Sequence, residues 1–120
     1  MYEYVAGKLI EKKPSYVVID VNGVGYFVSI SLSTYSLIPD SGVACRLFIH
    51  FVVRENDQQL FGFFDKEERE LFRLLLGVSG IGPRLALTVL SGMGSSKLKE
   101  AFAQGDVVAL TNISGIGKKT

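Results

Sequence analysis

The sequence is poor in the residue types that build metal sites and disulfides, with one cysteine and one histidine in 120 residues. Zinc sites and disulfides need several such side chains, so neither is expected at Cys45 or His50. Cys45 stands in an apolar alternating segment, where a free cysteine is usually a small buried hydrophobe. We therefore expect no metal, no cofactor and no histidine-based triad, and a structural or surface role for His50.

Long apolar runs are also missing. No stretch of about 18 or more apolar residues is present, so the sequence predicts no membrane-spanning helix. Glu3 and Lys8 interrupt the start of the chain, where an export signal would need an unbroken apolar segment. From these two absences we expect a cytoplasmic protein.

The charge is nearly balanced over the whole chain but is unevenly distributed. The formal net charge is +1. Residues 1–77 contain eight Lys and Arg against ten Asp and Glu, whereas residues 78–120 contain five against two. The C-terminal part is therefore basic, which makes it the first place to look for an anionic ligand.

The N-terminal part has the alternating pattern of β-strands from residue 4 to residue 64. Asn22-Gly23, between two apolar runs, predicts a tight hairpin turn because both positions favour positive φ. We predict about five strands, the first from Val5 to Ile10, and a short helical turn near residues 33–37. Short strands that contain glycines favour a closed barrel, since closure removes exposed edges.

At Asp65 the pattern changes to that of helices. Asp65 followed by Glu68 predicts an N-cap and a capping box, and the helix is expected to end before Gly77. Leu71, Leu74 and Leu75 are expected to share its apolar face. Further short helices are predicted at Pro83 to Ser91, Ser95 to Gln104 and Val107 to Thr111. The fold class is thus α+β in two domains: a barrel over residues 1–64 and an all-α domain over residues 65–120.

A glycine-rich phrase occurs twice in the helical part. Residues 78–84, Val-Ser-Gly-Ile-Gly-Pro-Arg, and residues 113–119, Ile-Ser-Gly-Ile-Gly-Lys-Lys, share the core Ser-Gly-Ile-Gly. Each is predicted to be a turn between two helices. The first glycine is expected to end the incoming helix in a left-handed conformation, the isoleucine to enter the core, and the second glycine to let a ligand approach the backbone.

Such a turn leaves backbone N–H groups pointing outward at a helix N-terminus, which suits a phosphate-sized anion. Arg84, Lys118 and Lys119 stand beside the two turns. The alternative is a plain joint between helices, but two copies with a cation after the second glycine favour phosphate binding. Two equivalent anion sites suit a polymer with regular phosphates, which indicates nucleic-acid binding without sequence readout.

Nucleotide sites are not supported by the same phrases. A P-loop would need glycine at Asn112 and serine or threonine at Lys119. A dinucleotide-binding turn would need glycine at Leu85 and a strand in front of the turn. Neither pattern is present.

The paired turns resemble tandem helix-hairpin-helix motifs. With "HFVVREN", "FGF", "KEERELF" and "GPRLALTVLSGM" in this order, the chain resembles the RuvA family, bacterial proteins that recognise the four-way Holliday junction. The resemblance implies an OB-type barrel followed by two hairpins that grip duplex backbones across the minor groove. It also implies a fourfold tetramer, or an octamer on DNA, that holds the junction open and flat in recombination and repair. The motor is a separate ATPase, RuvB, recruited by a third domain.

The resemblance assigns site residues as well. Phosphate contacts fall on the two hairpins, at Ser79, Gly80, Ile81, Gly82, Arg84, Ser114, Gly115, Ile116, Gly117, Lys118 and Lys119. An acidic pin is implied at the turn between the last two barrel strands, here Arg54-Glu55-Asn56-Asp57. Glu55 matches the family pattern, whereas Asn56 replaces the second acid and Asp57 follows one position later. Without the resemblance, an acidic turn is more often simply solvated.

Several phenylalanines on the predicted strands allow two interpretations: Phe48, Phe51, Phe61, Phe63 and Phe64. They form either a base-stacking platform or part of the core, and alternating strands favour the core. In a tetramer some of them are expected to pack between subunits.

Two other functions stay open at this point: a helix-hairpin-helix repair enzyme of the glycosylase or nuclease type, and a barrel that binds single strands. No catalytic residue set is recognised, so a non-catalytic DNA-binding subunit is favoured. The chain ends at Thr120, where the helix after the second hairpin should begin. We therefore expect a piece of a longer protein that lacks the motor-binding domain.

Overall fold

The computed structural model describes residues 2–93 and 95–104. By its internal contacts the chain divides into two compact units, Met1–Arg69 and Glu70–Thr120. The predicted helix at residues 107–111 and the second glycine-rich phrase at residues 113–119 lie outside the described residues.

The first unit is a five-stranded barrel, as predicted. Its elements are β1 (Tyr4–Lys12), β2 (Tyr16–Val21), β3 (Val24–Ile30), α1 (Leu32–Leu37), β4 (Ala44–Val53) and β5 (Gln58–Phe63). The strand order is β1-β2-β3-β5-β4, and pairing of β4 with β1 closes the barrel. All neighbours are antiparallel except β3 and β5, which are parallel.

The predicted turn at Asn22-Gly23 is confirmed. Asn22 has φ 53 and Gly23 has φ 91, the positive values that a two-residue type I′ hairpin needs. The Gly23 N–H also donates to Asp20 Oδ1 at 2.8 Å. The turn sets the register of β2 and β3, in which Val21 lies opposite Val24.

The barrel encloses an aliphatic core formed by alternate strand residues, among them Leu9, Ile19, Leu47 and Ile49, each 0% exposed. Cys45 is part of this core, as expected, and burial raises the pKa of its thiol although Lys12 nearby opposes the shift.

The five phenylalanines divide between core and surface. Phe61 and Phe63 are fully buried, and this part of the prediction is confirmed. Phe48 and Phe51 are half-buried. Phe64, in contrast, is 42% exposed, because it follows the last residue of β5.

Strand β1 is shared by both of its neighbours. Its first half, Tyr4 to Lys8, pairs with β4, and its second half, from Lys8 onward, pairs with β2. At the changeover Gly7 lies so close to β2 that a Cβ atom there would collide with the Asp20 carbonyl oxygen and lie 2.9 Å from Val21 Cγ2. Glycine is therefore a steric requirement at this point of the barrel.

Substitution Gly7→Ala is expected to lower the free energy of unfolding by about 1–3 kcal/mol, since backbone atoms of β2 must move to admit the methyl group. The matched control is Gly25→Ala, also on a barrel strand, where the added Cβ would meet only Val18 Cγ1 at 3.5 Å, an ordinary contact. Urea unfolding of both variants measures the difference. Equal stabilities for the two variants would contradict the steric assignment.

Helix α2 (Lys66–Leu76) begins at a side-chain cap, as predicted. The Glu68 N–H donates to Asp65 Oδ1 at 2.9 Å. The reciprocal half of a capping box would turn the Glu68 carboxylate back to the Asp65 N–H. Instead, that carboxylate accepts hydrogen bonds from Ser31 Oγ at 2.5 Å, at the N-cap of helix α1, and from Thr34 Oγ1 at 2.6 Å, within α1.

This buried polar cluster is internally satisfied. Ser31 Oγ accepts the Thr34 N–H at 3.1 Å and so caps α1, while Thr34 Oγ1 accepts the Phe64 N–H at 3.1 Å. Glu68 itself is 4% exposed. Burial raises the pKa of its carboxyl group, and the two hydroxyl donors only partly oppose this shift.

The raised pKa of Glu68 predicts a loss of stability as the pH rises. Below the ordinary glutamate pKa of about 4.3 the carboxyl is protonated in both states. Above it the unfolded chain ionises first, so the contribution of Glu68 to stability falls until the pH passes the folded pKa. The free energy of unfolding of the parent protein should therefore decline relative to that of Glu68→Gln as the pH rises.

Chemical denaturation of both proteins at several pH values from about 3, below the ordinary glutamate pKa of about 4.3, up to about 8 tests this expectation. Glu55→Gln, in an exposed turn, controls for the loss of one negative charge. If the difference in free energy of unfolding between the parent and Glu68→Gln has the same value at every pH, the prediction is wrong, however large that difference is.

The remaining described helices are α3 (Pro83–Met93) and α4 (Ser95–Gln104). Helix α4 has its predicted bounds, and α3 continues two residues beyond Ser91. In α2, Leu71 and Leu75 are buried as expected, but Leu74 is 51% exposed and Phe72 is buried in its place. None of the helices in the described ranges combines the length and apolarity that a bilayer crossing requires.

Candidate nucleic-acid interface

The first glycine-rich phrase follows directly on the end of α2. The Gly77 N–H donates to the Leu74 carbonyl at 3.1 Å, and the Val78 N–H donates to the Leu75 carbonyl at 2.9 Å. These three-residue bonds tighten the last helical turn and satisfy carbonyls that the α-helix leaves free. The helix has therefore ended before the first glycine of the phrase is reached.

Residues 78–81 form a tight turn. The Ile81 N–H donates to the Val78 carbonyl at 3.1 Å, and Gly80, the third residue, has φ 87. This is the pattern of a type II turn, which needs a positive φ at the third position. The left-handed conformation predicted for Gly80 is confirmed, but it serves this turn rather than the end of α2.

The next residues start α3. Ile81 is 6% exposed, so it enters the core as predicted. The Gly82 carbonyl accepts the Ala86 N–H at 2.9 Å, which makes Gly82 the N-cap and Pro83 the first helical residue. A helix start of this kind leaves the N–H groups of residues 82, 84 and 85 without an intrahelical acceptor.

The outer side of the hairpin is open to solvent. Ser79, Gly80, Gly82 and Arg84 are all exposed. A Cβ added at Gly82 would meet no atom within 4 Å, and Gly82 has no left-handed φ. Packing thus does not demand glycine at position 82, although glycine is a favoured N-cap residue, and its absent side chain leaves the backbone open to solvent.

The two glycines of the hairpin should respond differently to alanine. Gly80→Ala is expected to lower the free energy of unfolding by about 1–2 kcal/mol, because an L-residue is strained at this φ. Gly82→Ala should change it by less than about 1 kcal/mol, since the lost N-cap preference and the reduced entropy of the unfolded chain oppose each other. Thermal unfolding compares them. A larger cost at Gly82 than at Gly80 would reverse the assignment.

The turn between β4 and β5 spans Arg54 to Asp57. The Arg54 N–H donates to the Asp57 carbonyl at 2.8 Å, so Glu55 and Asn56 form the tip and Asp57 lies at the base. The Asp57 carboxylate has a long hydrogen bond from Gln59 Nε2 at 3.4 Å. All four turn residues are exposed. The tip itself therefore contains one acid, Glu55.

A further group of side chains, which no sequence pattern indicated, lies where β1, β4 and the start of α2 meet. Arg46 Cζ is 5.3 Å from the ring centre of Phe48 and 5.3 Å from that of Tyr4. Lys66 Nζ lies 5.6 Å from the Phe48 ring centre, as does Arg69 Cζ. We name Tyr4, Arg46, Phe48 and Lys66 the Phe48 surface.

The second hairpin contains the other predicted phosphate contacts, Ser114, Gly115, Ile116, Gly117, Lys118 and Lys119, and lies outside the described residues. Within the described part of the chain, no group of three or more His, Cys, Asp and Glu side chains is placed to hold a metal ion.

Comparison with known proteins places this geometry in a family. Residues 1–62, more than half of the chain, match the family model described as "RuvA N terminal domain". The chain belongs to the RuvA family. Residues 72–120 match a second model, "SAM-like Helix-hairpin-helix tandem", which covers both glycine-rich phrases of this RuvA-family chain.

Individual relatives agree with this membership. The "Holliday junction branch migration complex subunit RuvA" of Christiangramia forsetii is 48% identical over 100% of the chain, which covers 62% of that protein. The proteins of the same name from Marinomonas sp. and Chromobacterium violaceum are 49% and 50% identical, each over 97% of the chain, which covers 58% and 59% of them. The chain therefore spans about three fifths of the length of these relatives.

Proposed function

We propose that this chain binds four-way DNA junctions by their phosphates, without reading base sequence, and holds the junction open and flat for a separate motor. The observation that carries the proposal is the hairpin at residues 78–84. Gly82, where packing leaves room for a side chain, lies at a helix N-terminus whose first N–H groups have no intrahelical acceptor, and Arg84 beside it is exposed.

The chemistry of this hairpin suits a phosphodiester. Backbone N–H groups at a helix start hold an anion with no preference among bases, and the absent Cβ at Gly82 lets the phosphate come close. The Arg84 guanidinium adds a long-range attraction and displaces counterions. Ser79, one residue before Gly80, supplies a hydroxyl donor on the same exposed side.

Two hairpins extend the argument from one phosphate to a duplex. The second phrase repeats Ser-Gly-Ile-Gly and replaces the cation Arg84 with Lys118 and Lys119. In our proposal each hairpin holds phosphates of one duplex arm, and a homotetramer offers four such pairs to four arms. Two tetramers enclosing the DNA would double these contacts.

The β4–β5 turn is proposed to face the centre of the junction. There Glu55 at the tip repels the backbones that exchange strands, since like charges raise each other's energy. Asn56 adds no charge, and Asp57 lies at the base of the turn. The proposed pin in this chain thus depends chiefly on one carboxylate.

The relatives are named as subunits of a branch migration complex. We propose that this chain likewise works with RuvB, which hydrolyses ATP, and that it has no catalytic step of its own. Incubation with junction DNA alone should therefore leave every strand intact.

The protein is expected to bind a four-way junction more tightly than a linear duplex of equal length and sequence.

Gly82→Ala should weaken junction binding about tenfold or more while the protein stays folded, because loss of close phosphate contacts costs at least about 1.4 kcal/mol. Arg84→Gln should weaken binding equally for all sequences and reduce the slope of log affinity against log salt by about 0.9. Fluorescence anisotropy over a salt series measures all three quantities.

Lys13→Gln, an exposed lysine on the β1–β2 connection, is the control for the loss of one charge. Equal affinity for junction and linear DNA, with the protein shown to be tetrameric by light scattering, would refute junction selectivity. Tighter binding to single strands would favour the single-strand alternative, and cleavage of damaged or branched DNA would favour the enzyme alternative.

A further inference from the structure

The Phe48 surface carries an excess of positive charge in a unit that is acidic by count. Arg46, Lys66 and Arg69 surround one ring, and one carboxylate, Glu3, lies among them. Glu3 is 3.1 Å from Arg69, whose side chain is 6% exposed, and 3.8 Å from Lys66, which is 66% exposed. The carboxylate is thus committed mainly to the buried arginine.

Arg46 is the most available of the three cations. Its side chain is exposed, and within the described residues it has no carboxylate partner. Its guanidinium lies beside both the Tyr4 and the Phe48 rings, with Cζ 5.3 Å from each ring centre; the two rings are edge-to-face with centres 6.4 Å apart. Contact with two rings holds the planar guanidinium in place, so less side-chain entropy is lost when it binds an anion.

The two exposed cations are close enough together to contact one stretch of nucleic-acid backbone. Arg46 and Lys66 both lie within 5.6 Å of the Phe48 ring centre, so their charged groups are at most about 11 Å apart. Successive phosphates of one duplex strand are offset by about 3.4 Å along the helix axis and by more along the backbone, so two cations this close can contact the same phosphate or neighbouring ones. A single strand would bring bases to exposed ring faces, but here cations already lie over the rings.

We infer that Tyr4, Arg46, Phe48 and Lys66 form a second DNA-contact surface, on the barrel, that binds backbone phosphates of a duplex. Arg46 and Lys66 make the phosphate contacts, and the two rings hold Arg46 in place. The inference rests on the DNA binding proposed above but on different residues from the hairpin.

The experiment measures affinity for a linear duplex over a salt series. Arg46→Gln should reduce the slope of log affinity against log salt by about 0.9, because each phosphate contact releases about 0.9 counterions. The double variant Arg46→Gln with Lys66→Gln loses two contacts and should reduce the slope by about 1.8. Arg46→Lys retains the charge and should keep the slope near that of the parent. Lys13→Gln, the matched exposed lysine, should leave it unchanged.

Four outcomes would overturn the inference. The first is a parent-like slope in the double variant, and the second is an equal reduction in Lys13→Gln. The third is a slope that falls only for single-stranded DNA, which would assign the surface to unpaired DNA, or an effect confined to weaker binding of polyglutamate, which would assign it to an acidic protein segment. The fourth is a change of mass by light scattering in Arg46→Gln, which would assign it to contacts between copies.

Failure of the hairpin proposal gives a different result. In that case Gly82→Ala, which retains the Phe48 surface, binds like the parent protein. The slope change in Arg46→Gln would still be measurable, because this variant leaves the hairpin intact.

Discussion

The barrel depends on one strand, β1, that must hydrogen-bond along both edges. Its first half pairs with β4 and its second half with β2, and Lys8 is paired with both, so β1 joins the two ends of the sheet into a closed barrel. The strand needs strong local coiling there, supplied by Gly7, which admits the Asp20 carbonyl, and by an irregularity between Leu9 and Glu11. Closure of the barrel at Gly7 is what buries Leu9 and the other aliphatic residues of the barrel core.

A buried carboxylate fixes the next part of the unit. Glu68 is nearly inaccessible to solvent, and an unpaired charge in such a place would cost several kcal/mol, on the order of the whole stability of a small domain. Ser31 and Thr34 offset that cost with two hydroxyl donors whose own oxygens also accept N–H groups. Ser31 is the N-cap of α1 and Thr34 lies within the helix. The cluster therefore specifies how α1 and the start of α2 meet. Its cost is the burial of the Glu68 carboxyl group, which raises the pKa of that group above the ordinary value.

Features that depend on a few consecutive residues could be predicted from the sequence. The Asn22-Gly23 turn, the Asp65 cap and the turn at Gly80 each follow from local φ preferences or hydrogen bonds. The destination of the Glu68 carboxylate could not be predicted, because its partners precede it by 34 and 37 positions. Leu74 was misplaced for a similar reason: helical spacing leaves Leu74 and Phe72 at opposite borders of one apolar face, and packing decides which border is buried.

Charge counts along the sequence hid the Phe48 surface for a physical reason. Residues 1–77 are net acidic, yet charges separated by more than the Debye length, about 10 Å at 0.1 M salt, barely influence each other at the surface. A ligand therefore experiences the local set of charges, and β1, β4 and α2 bring three cations around one ring from positions 46, 66 and 69. The basic C-terminal segment and its repeated phrase indicated the two hairpin sites from the sequence alone. The Phe48 surface, in contrast, forms only through folding, where strand pairing places Tyr4 opposite Phe48.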